Sequence, residues 1–126
     1  MIVVDSSVWI AALRSGSSRE ARTLGGLLDA DEVLLPVPVR IELLSGTSTR
    51  HRARLRSALS ALPLAYPTDE TWALMDEWTD RAVRGGAAFG VGDLLIAAIA
   101  HEADALIWSL DQAFTQLQRL RLARLY

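Results

Sequence analysis

The chain of 126 residues contains no cysteine and no lysine. Without cysteine there can be no disulfide bonds, thiolate metal sites or cysteine nucleophiles, and the composition is typical of a reducing cytoplasm, where we expect the protein to reside. The missing lysine excludes any mechanism that requires one. The 13 basic residues other than histidine are therefore all arginines.

Long hydrophobic runs are also missing. The longest, at residues 94–100, is far shorter than the roughly 20 residues that a membrane-spanning helix requires. The N-terminal residues contain neither a basic region nor a cleavage-site pattern, so we expect no signal peptide and no membrane association. The length predicts one domain over residues 1–126, and the 51% of hydrophobic residues is enough for a proper core.

The net charge of −2 excludes a globally basic nucleic-acid binder, but the charges are unevenly distributed. Within 17 residues, Glu42 alone opposes a group of five arginines, namely Arg40, Arg50, Arg52, Arg54 and Arg56. The last four either contact RNA phosphates or form an ordinary solvated helix face. They are two residues apart, so on a helix they spread around the axis.

Hydrophobic periodicity predicts strands that alternate with helices along the whole chain. The predicted strands are 2–5, 33–35, 64–66, 106–108 and 122–125. The predicted helices are 8–13, 20–28, 39–44, 49–62, 69–84, 92–103 and 113–117, with Ser6 or Ser7 capping the first and an apolar stripe of Trp72, Met75, Trp78, Ala82 and Val83 on the fifth. This alternation predicts an α/β fold with a parallel sheet covered on both faces.

Four acidic residues lie at strand ends or helix starts: Asp5, Glu42, Asp93 and Asp111. An open parallel sheet binds ligands beyond the carboxyl ends of its strands, so these positions share one edge. Carboxylates gathered there repel one another, and Mg²⁺ or Mn²⁺, which prefer oxygen ligands, would relieve the repulsion. The hydroxyls of Ser6 and Ser7 would then orient Asp5 or cap the first helix.

Each acid also has a purely structural interpretation. Asp5 and Asp93 are both suited to helix capping, and Asp111 to an ordinary turn. Glu42 lies between Ile41 and Leu43 on an otherwise apolar helix face, where a carboxylate should be paired, protonated or bound to metal. Its alternative partner is Arg40 or one of the downstream arginines.

Four segments resemble, in order, the motifs of PIN-domain ribonucleases and, within them, the toxin subunits of VapBC-type toxin–antitoxin pairs. The segments are Val-Asp-Ser-Ser at 4–7, Ile-Glu-Leu-Leu-Ser-Gly at 41–46, Gly-Asp-Leu-Leu-Ile-Ala-Ala at 92–98, and Leu-Ile-Trp-Ser-Leu-Asp at 106–111 with Phe114. The resemblance covers essentially the whole chain. Two departures are Ala113, where the family often has a further acid, and residues 37–39, which lack the family's Ser or Thr.

The resemblance implies a PIN-like three-layer α/β/α sandwich with a short central parallel sheet. It also implies an Mg²⁺- or Mn²⁺-dependent endoribonuclease that is the toxin of a type II toxin–antitoxin pair. The four acids would be its catalytic and metal-binding residues, with Ser109 at the family's small hydroxyl position. The implied partners are an RNA substrate, a second copy of the chain, and a small antitoxin whose helix would lie near Trp9 and Leu13.

Other function classes are less consistent with the sequence. A receiver domain requires a lysine, and a haloacid-dehalogenase-type phosphatase requires an acid where this chain has Ser7. No phosphate-binding or dinucleotide-binding glycine motif is present, and neither His51 nor His101 is expected to be catalytic. Two alternatives stay open: a PIN-domain nuclease of RNA maturation without an antitoxin, and a catalytically silent PIN-like binding module.

Overall fold

The computed structural model describes residues 1–126. The chain forms four strands and seven helices, each of which the sequence predicts, but not the fifth strand predicted at 122–125. The strands are β1 (Ile2–Val4), β2 (Val33–Pro36), β3 (Leu64–Ala65) and β4 (Leu106–Trp108). The helices are α1 (Ser6–Arg14), α2 (Arg19–Asp29), α3 (Val37–Gly46), α4 (Thr49–Ser60), α5 (Asp69–Arg84), α6 (Val91–Glu102) and α7 (Gln112–Arg119).

The four strands form one sheet in the order β3-β2-β1-β4, and every neighbouring pair is parallel. At its centre, Ile2 of β1 pairs with Val33 on one side and Leu106 on the other. Parallel strands require helical crossovers that cover the sheet, so β1 is buried at all three positions. The predicted three-layer α/β/α sandwich with a short parallel sheet is confirmed.

The sequence offers two kinds of N-cap for the helix that follows β1, which are Asp5 and one of the serines at positions 6 and 7. Asp5, not Ser6 or Ser7, is the N-cap of α1, with extended backbone (φ −67°, ψ 154°) and a carboxylate that accepts from the amide of Ser7. The two serines lie in the first turn. Asp is as good an N-cap as Ser. Here a single residue, Asp5, separates the end of β1 from the start of α1, so this acid occupies the N-cap position.

The fifth predicted helix is rotated relative to its predicted stripe. Met75, Trp78 and Ala82 are buried as expected, but Trp72 is 47% exposed and Val83 is 74% exposed. The fourth member of the buried stripe is Thr71, whose hydroxyl donates to Glu102 of α6. This polar contact between two helices fixes a rotation that hydrophobicity alone does not predict.

The predicted strand at 122–125 is wrong. This segment makes a single parallel bridge, between Ile107 and Leu125, with hydrogen bonds from the Ile107 amide to the Arg124 carbonyl (2.8 Å) and from the Tyr126 amide to the Ile107 carbonyl (2.8 Å). It follows a turn at Arg121, whose φ is +62°. Leu122 is buried, so the segment covers the core beside β4 without extending the sheet.

The helix that the sequence predicts to be buried forms the centre of one helical layer. Leu94 and Ile96–Ala100 of α6 are all buried, and α6 packs against α5, α3, α7 and β4. None of the helices combines the length and the hydropathy that a membrane span requires. Because α6 is buried and packs against four other elements, its amino-terminal turn is held in place at the carboxyl edge of the sheet.

Candidate active site

The four predicted acids are positioned by elements that meet at one edge of the sheet. Asp5 directly follows β1, and Asp111, the N-cap of α7, comes three residues after β4. Glu42 lies in α3, which begins immediately after β2, and Asp93 lies in the first turn of α6. Because β2, β1 and β4 are parallel neighbours, their carboxyl ends share this edge. We call these four residues the acidic cluster.

Electrostatics link the members of the acidic cluster. Burial raises the pKa of Asp93 above its ordinary value of 3.8, and the charges of the other three members, in the order Asp111, Asp5 and Glu42, raise it further. Like charges act in this way only at short range. The structure therefore brings together carboxylates that are far apart in the sequence.

The members of the cluster differ in exposure. Asp5 is 5% exposed and Asp93 is half-buried, whereas Glu42 and Asp111 are exposed. The Asp111 carboxylate accepts the amide of Ala113 at 2.9 Å, so this acid is also a helix cap. Two members are thus held on the protein side of the site, and two face solvent.

Hydroxyl groups surround Asp5. The Ser109 hydroxyl donates to Asp5 Oδ2 at 2.8 Å, and the Ser7 hydroxyl donates to the same oxygen at 2.7 Å. The sequence singles out Ser109 and Ser6 as supporting residues, and it leaves open whether Ser7 orients Asp5 or caps the first helix. The Ser6 hydroxyl instead donates to Glu42.

Glu42 departs from its predicted surroundings. The residue is exposed, and its neighbour Ile41 is 58% exposed, so Glu42 does not lie on the apolar face of α3, which Val39, Leu43 and Leu44 form. The alternative ion pair with Arg40 or a downstream arginine is absent too, because the only ion pair in the structure joins Arg124 and Asp104 at 2.5 Å. Arg40 is directed towards Ser60 at 3.5 Å. Glu42 is therefore free of any cationic partner.

Beside Glu42 is a groove of about 810 Å³ between α1, α3 and α4. Its lining includes two exposed apolar residues of α1, Ile10 and Leu13, and three basic ones, Arg14, His51 and Arg54. We call this the α1–α4 groove. The groove is lined both by Arg54, from the predicted arginine segment, and by Glu42, from the acidic cluster.

The arginines of α4 do not share one environment. Arg50, Arg54 and Arg56 are exposed, while Arg52 is half-buried and donates to the Leu44 carbonyl near the end of α3. Arg54 alone of the four lines the α1–α4 groove, together with Arg14, which the sequence did not single out. Of the two histidines, His51 lines the groove, and His101 packs edge-to-face against Trp78 with ring centroids 5.5 Å apart.

The donor chemistry of the acidic cluster fits a hard divalent cation, since every donor is oxygen and the carboxylates repel one another. No three of these side chains, however, are arranged so that they could hold an ion as they stand. Glu42 and Asp111 are exposed, but to turn they would have to give up the hydrogen bonds from the Ser6 hydroxyl and the Ala113 amide, respectively. Binding of a cation at this edge would require such rotation.

The sequence matches the family described as PIN domain over residues 2–120. No curated protein sequence matches the chain. Among solved structures, the chain is similar to VapBC2 from Rickettsia felis bound to a promoter DNA fragment, with 19% identity, a TM-score of 0.81, and 100% of this chain and 98% of that chain covered.

Two further structures share this fold. FitAcB from Neisseria gonorrhoeae is 20% identical, with a TM-score of 0.78 and coverage of 100% of this chain and 97% of that one. VapC20 from Mycobacterium tuberculosis, a toxin that cleaves the sarcin–ricin loop, is 20% identical, with a TM-score of 0.64 and coverage of 92% of this chain and 94% of that one. These likenesses extend over nearly all of each chain.

Proposed function

The chain belongs to the PIN domain family, and from that premise we propose that it is a metal-dependent endoribonuclease and the toxin of a type II toxin–antitoxin pair. One observation above all supports the proposal, which is that four acids meet at the carboxyl edge of the sheet, where burial and then the charges of the other three raise the pKa of Asp93. Repelling carboxylates gathered at the ligand-binding edge of a parallel sheet are typical of a site for divalent cations. The proposed catalytic domain comprises residues 1–126.

We assign the metal-binding and catalytic roles to Asp5, Glu42, Asp93 and Asp111, with Mg²⁺ or Mn²⁺ as the cofactor. Bound there, such an ion supplies Lewis-acid polarisation of the phosphodiester and of water. The protein fixes Asp5 and Asp93 through burial, and Ser6 restrains Glu42 by a hydrogen bond. An opposite charge among the carboxylates would lower the pKa of Asp93 again.

The proposed substrate is RNA, and the α1–α4 groove supports this choice. Arg14 and Arg54 place two guanidinium groups along a groove that reaches Glu42, and such groups bind phosphates well. The exposed Arg50 and Arg56 would add sequence-independent attraction, whereas Arg52 already donates to Leu44. VapC20, which shares this fold, cleaves the sarcin–ricin loop, and this activity is consistent with an RNA substrate.

The proposed inhibitor is a small antitoxin that inserts a helix beside α1. Ile10 and Leu13 are 44% and 61% exposed and line the α1–α4 groove, which suits the apolar face of an amphipathic helix. Trp9, the other residue that the sequence suggested for this contact, is only 7% exposed and lies in the core. A basic side chain of the partner would reach Glu42 and compete with the metal and with RNA phosphate.

Self-association is the other proposed contact. Of the two tryptophans in the predicted apolar stripe of α5, Trp78 is buried against His101 and only Trp72 is exposed. Trp72 lies on the solvent side of α5. We propose a homodimer that covers this side chain, and sedimentation equilibrium of the wild type and of Trp72→Ala is the test. A monomeric wild type at all concentrations would remove the dimer from the account.

The nuclease proposal is tested by incubating the purified chain with an RNA and with DNA of the same sequence. We expect cleavage of the RNA with Mg²⁺ or Mn²⁺, none in excess EDTA, and none by Asp93→Asn. Asp76→Asn is the matched control, because Asp76 is an exposed acid of α5 and its loss changes the net charge equally. Equal cleavage with and without EDTA would contradict metal dependence, and no cleavage under any condition would favour the silent binding module.

The toxin proposal requires a test in cells. Expression of the wild type should arrest growth, Asp93→Asn should be harmless, and co-expression of a small protein encoded by the neighbouring gene should restore growth. If the wild type cleaves RNA but is harmless in its own host, and no small partner co-purifies, the protein is a nuclease of RNA maturation.

A further inference from the structure

Asp5 is held through only one of its two carboxylate oxygens. Oδ2 accepts the Ser7 hydroxyl at 2.7 Å, the Ser109 hydroxyl at 2.8 Å and the Ser7 amide at 3.4 Å. No hydrogen bond within the protein reaches Oδ1. Because Oδ2 already accepts these hydrogen bonds, Oδ1 is the one oxygen of the Asp5 carboxylate that is left for another ligand.

Each of these hydroxyls also accepts a backbone amide, and the two serine oxygens lie 3.3 Å apart, farther than either lies from Asp5 Oδ2. The Leu110 amide donates to the Ser7 oxygen at 3.0 Å, and the Asp111 amide donates to the Ser109 oxygen at 3.0 Å. Each hydroxyl thus accepts on one side and has one proton to donate, which goes to Asp5. We call this pair of serines the hydroxyl clamp.

The hydroxyl clamp also joins two separate parts of the acidic cluster. Ser7 lies in the first turn of α1, and the amides that it and Ser109 accept belong to the segment between β4 and α7. That segment includes Asp111, the N-cap of α7. The position of Asp5 is consequently coupled to the position of Asp111 through two short hydrogen-bonded paths.

We propose that Ser7 is a positioning residue that, together with Ser109, turns Asp5 so that Oδ1 alone binds the divalent cation, and that this orientation determines the affinity of the site. The proposal rests on the metal-dependent function proposed above. It assigns to Ser7 a role that the capping geometry does not need, because the Asp5 carboxylate, not the serine hydroxyl, caps α1. Partners that orient a metal-binding carboxylate typically change metal affinity by about 10–100-fold.

The test measures Mn²⁺ binding by electron paramagnetic resonance of the free ion, and therefore does not depend on catalysis. We expect Ser7→Ala to weaken binding by about 10–100-fold. Ser7→Thr, which keeps the hydroxyl, should stay within about threefold of the wild type. Ser17→Ala is the control, since the side chain of that exposed serine has only a hydroxyl contact to Ser15 at 3.3 Å. Thermal unfolding of each variant identifies any general loss of structure.

The outcomes separate the two proposals. A wild type that binds Mn²⁺, with a folded Ser7→Ala variant of equal affinity, overturns the role of Ser7 and leaves the proposed function standing. A wild type that binds no Mn²⁺ at millimolar concentration overturns the proposed metal dependence and the positioning role with it. If Ser7→Ala does not fold, Ser7→Cys replaces it, because a thiol of similar shape is only a weak donor.

Discussion

Replacing Asp5 by alanine and by asparagine separates what this residue does for the fold from what it does for the site. Alanine removes the N-cap of α1, which costs about 1 kcal/mol. It also removes the acceptor of the Ser7 and Ser109 hydroxyls, and hydrogen bonds to a charged group are worth about 1.5–3 kcal/mol each. Both hydroxyls are only partly buried, so new hydrogen bonds to water recover some of this free energy.

Relief of the repulsion with Asp93 acts in the opposite direction. We therefore expect Asp5→Ala to lower the free energy of unfolding by about 2–3 kcal/mol, which is below the summed range of about 4–7 kcal/mol because water and the relieved repulsion offset part of the loss. Asparagine keeps an oxygen for the cap and the hydroxyls and removes the charge, so Asp5→Asn should lower it by less than about 1 kcal/mol.

Urea unfolding in the presence of EDTA measures both values. With a slope of about 1–3 kcal/mol per molar, the midpoint of Asp5→Ala should fall by about 1–2 M. Both variants should lose RNA cleavage. Equal stability of Asp5→Ala and the wild type would refute the structural role assigned to this carboxylate, and a fully active Asp5→Asn would refute its role in the site.

Three further predictions concern stability and binding. Because the folded-state pKa of Asp93 is raised above 3.8, metal-free protein should lose stability as the pH rises from that value through the raised pKa, and Asp93→Asn should flatten this part of the stability profile measured by urea unfolding. Phe114→Ala should cost about 3–5 kcal/mol in the same assay, because Phe114 is 1% exposed in the core. Ile10→Asp should abolish co-purification of the antitoxin and also weaken RNA cleavage, since Ile10 lines the α1–α4 groove that we assign to both partners.

Most helices and strands could be predicted from the sequence because their apolar periodicity is local. The predictions that were wrong concern features that depend on residues far away in the sequence. The rotation of α5 is fixed by the bond from Thr71 to Glu102, which lies 31 residues away. The segment after Leu122 has strand-like composition, yet after the turn at Arg121 it meets β4 at a single bridge.

The acidic cluster could be predicted because parallel strands deliver their carboxyl ends to one edge, whichever residues lie between them. The contacts and exposure of the individual side chains could not be predicted from the sequence. The exposure of Glu42 depends on how α3 packs, and the contact of Ser7 with Leu110 joins residues 103 positions apart. Arg14 gave no signal in the sequence, because only the packing of α1 beside α4 places it in the groove.

The central claim is that four carboxylates from four parts of the chain form one shared site for a divalent cation. Isothermal titration of Mn²⁺ into the wild type and into Asp5→Asn, Glu42→Gln, Asp93→Asn and Asp111→Asn tests this most directly. We expect a saturable binding event in the wild type that each substitution weakens at least 10-fold, while the control Asp76→Asn leaves it unchanged. Binding by Asp93→Asn and Asp111→Asn with the affinity of the wild type would contradict a shared site.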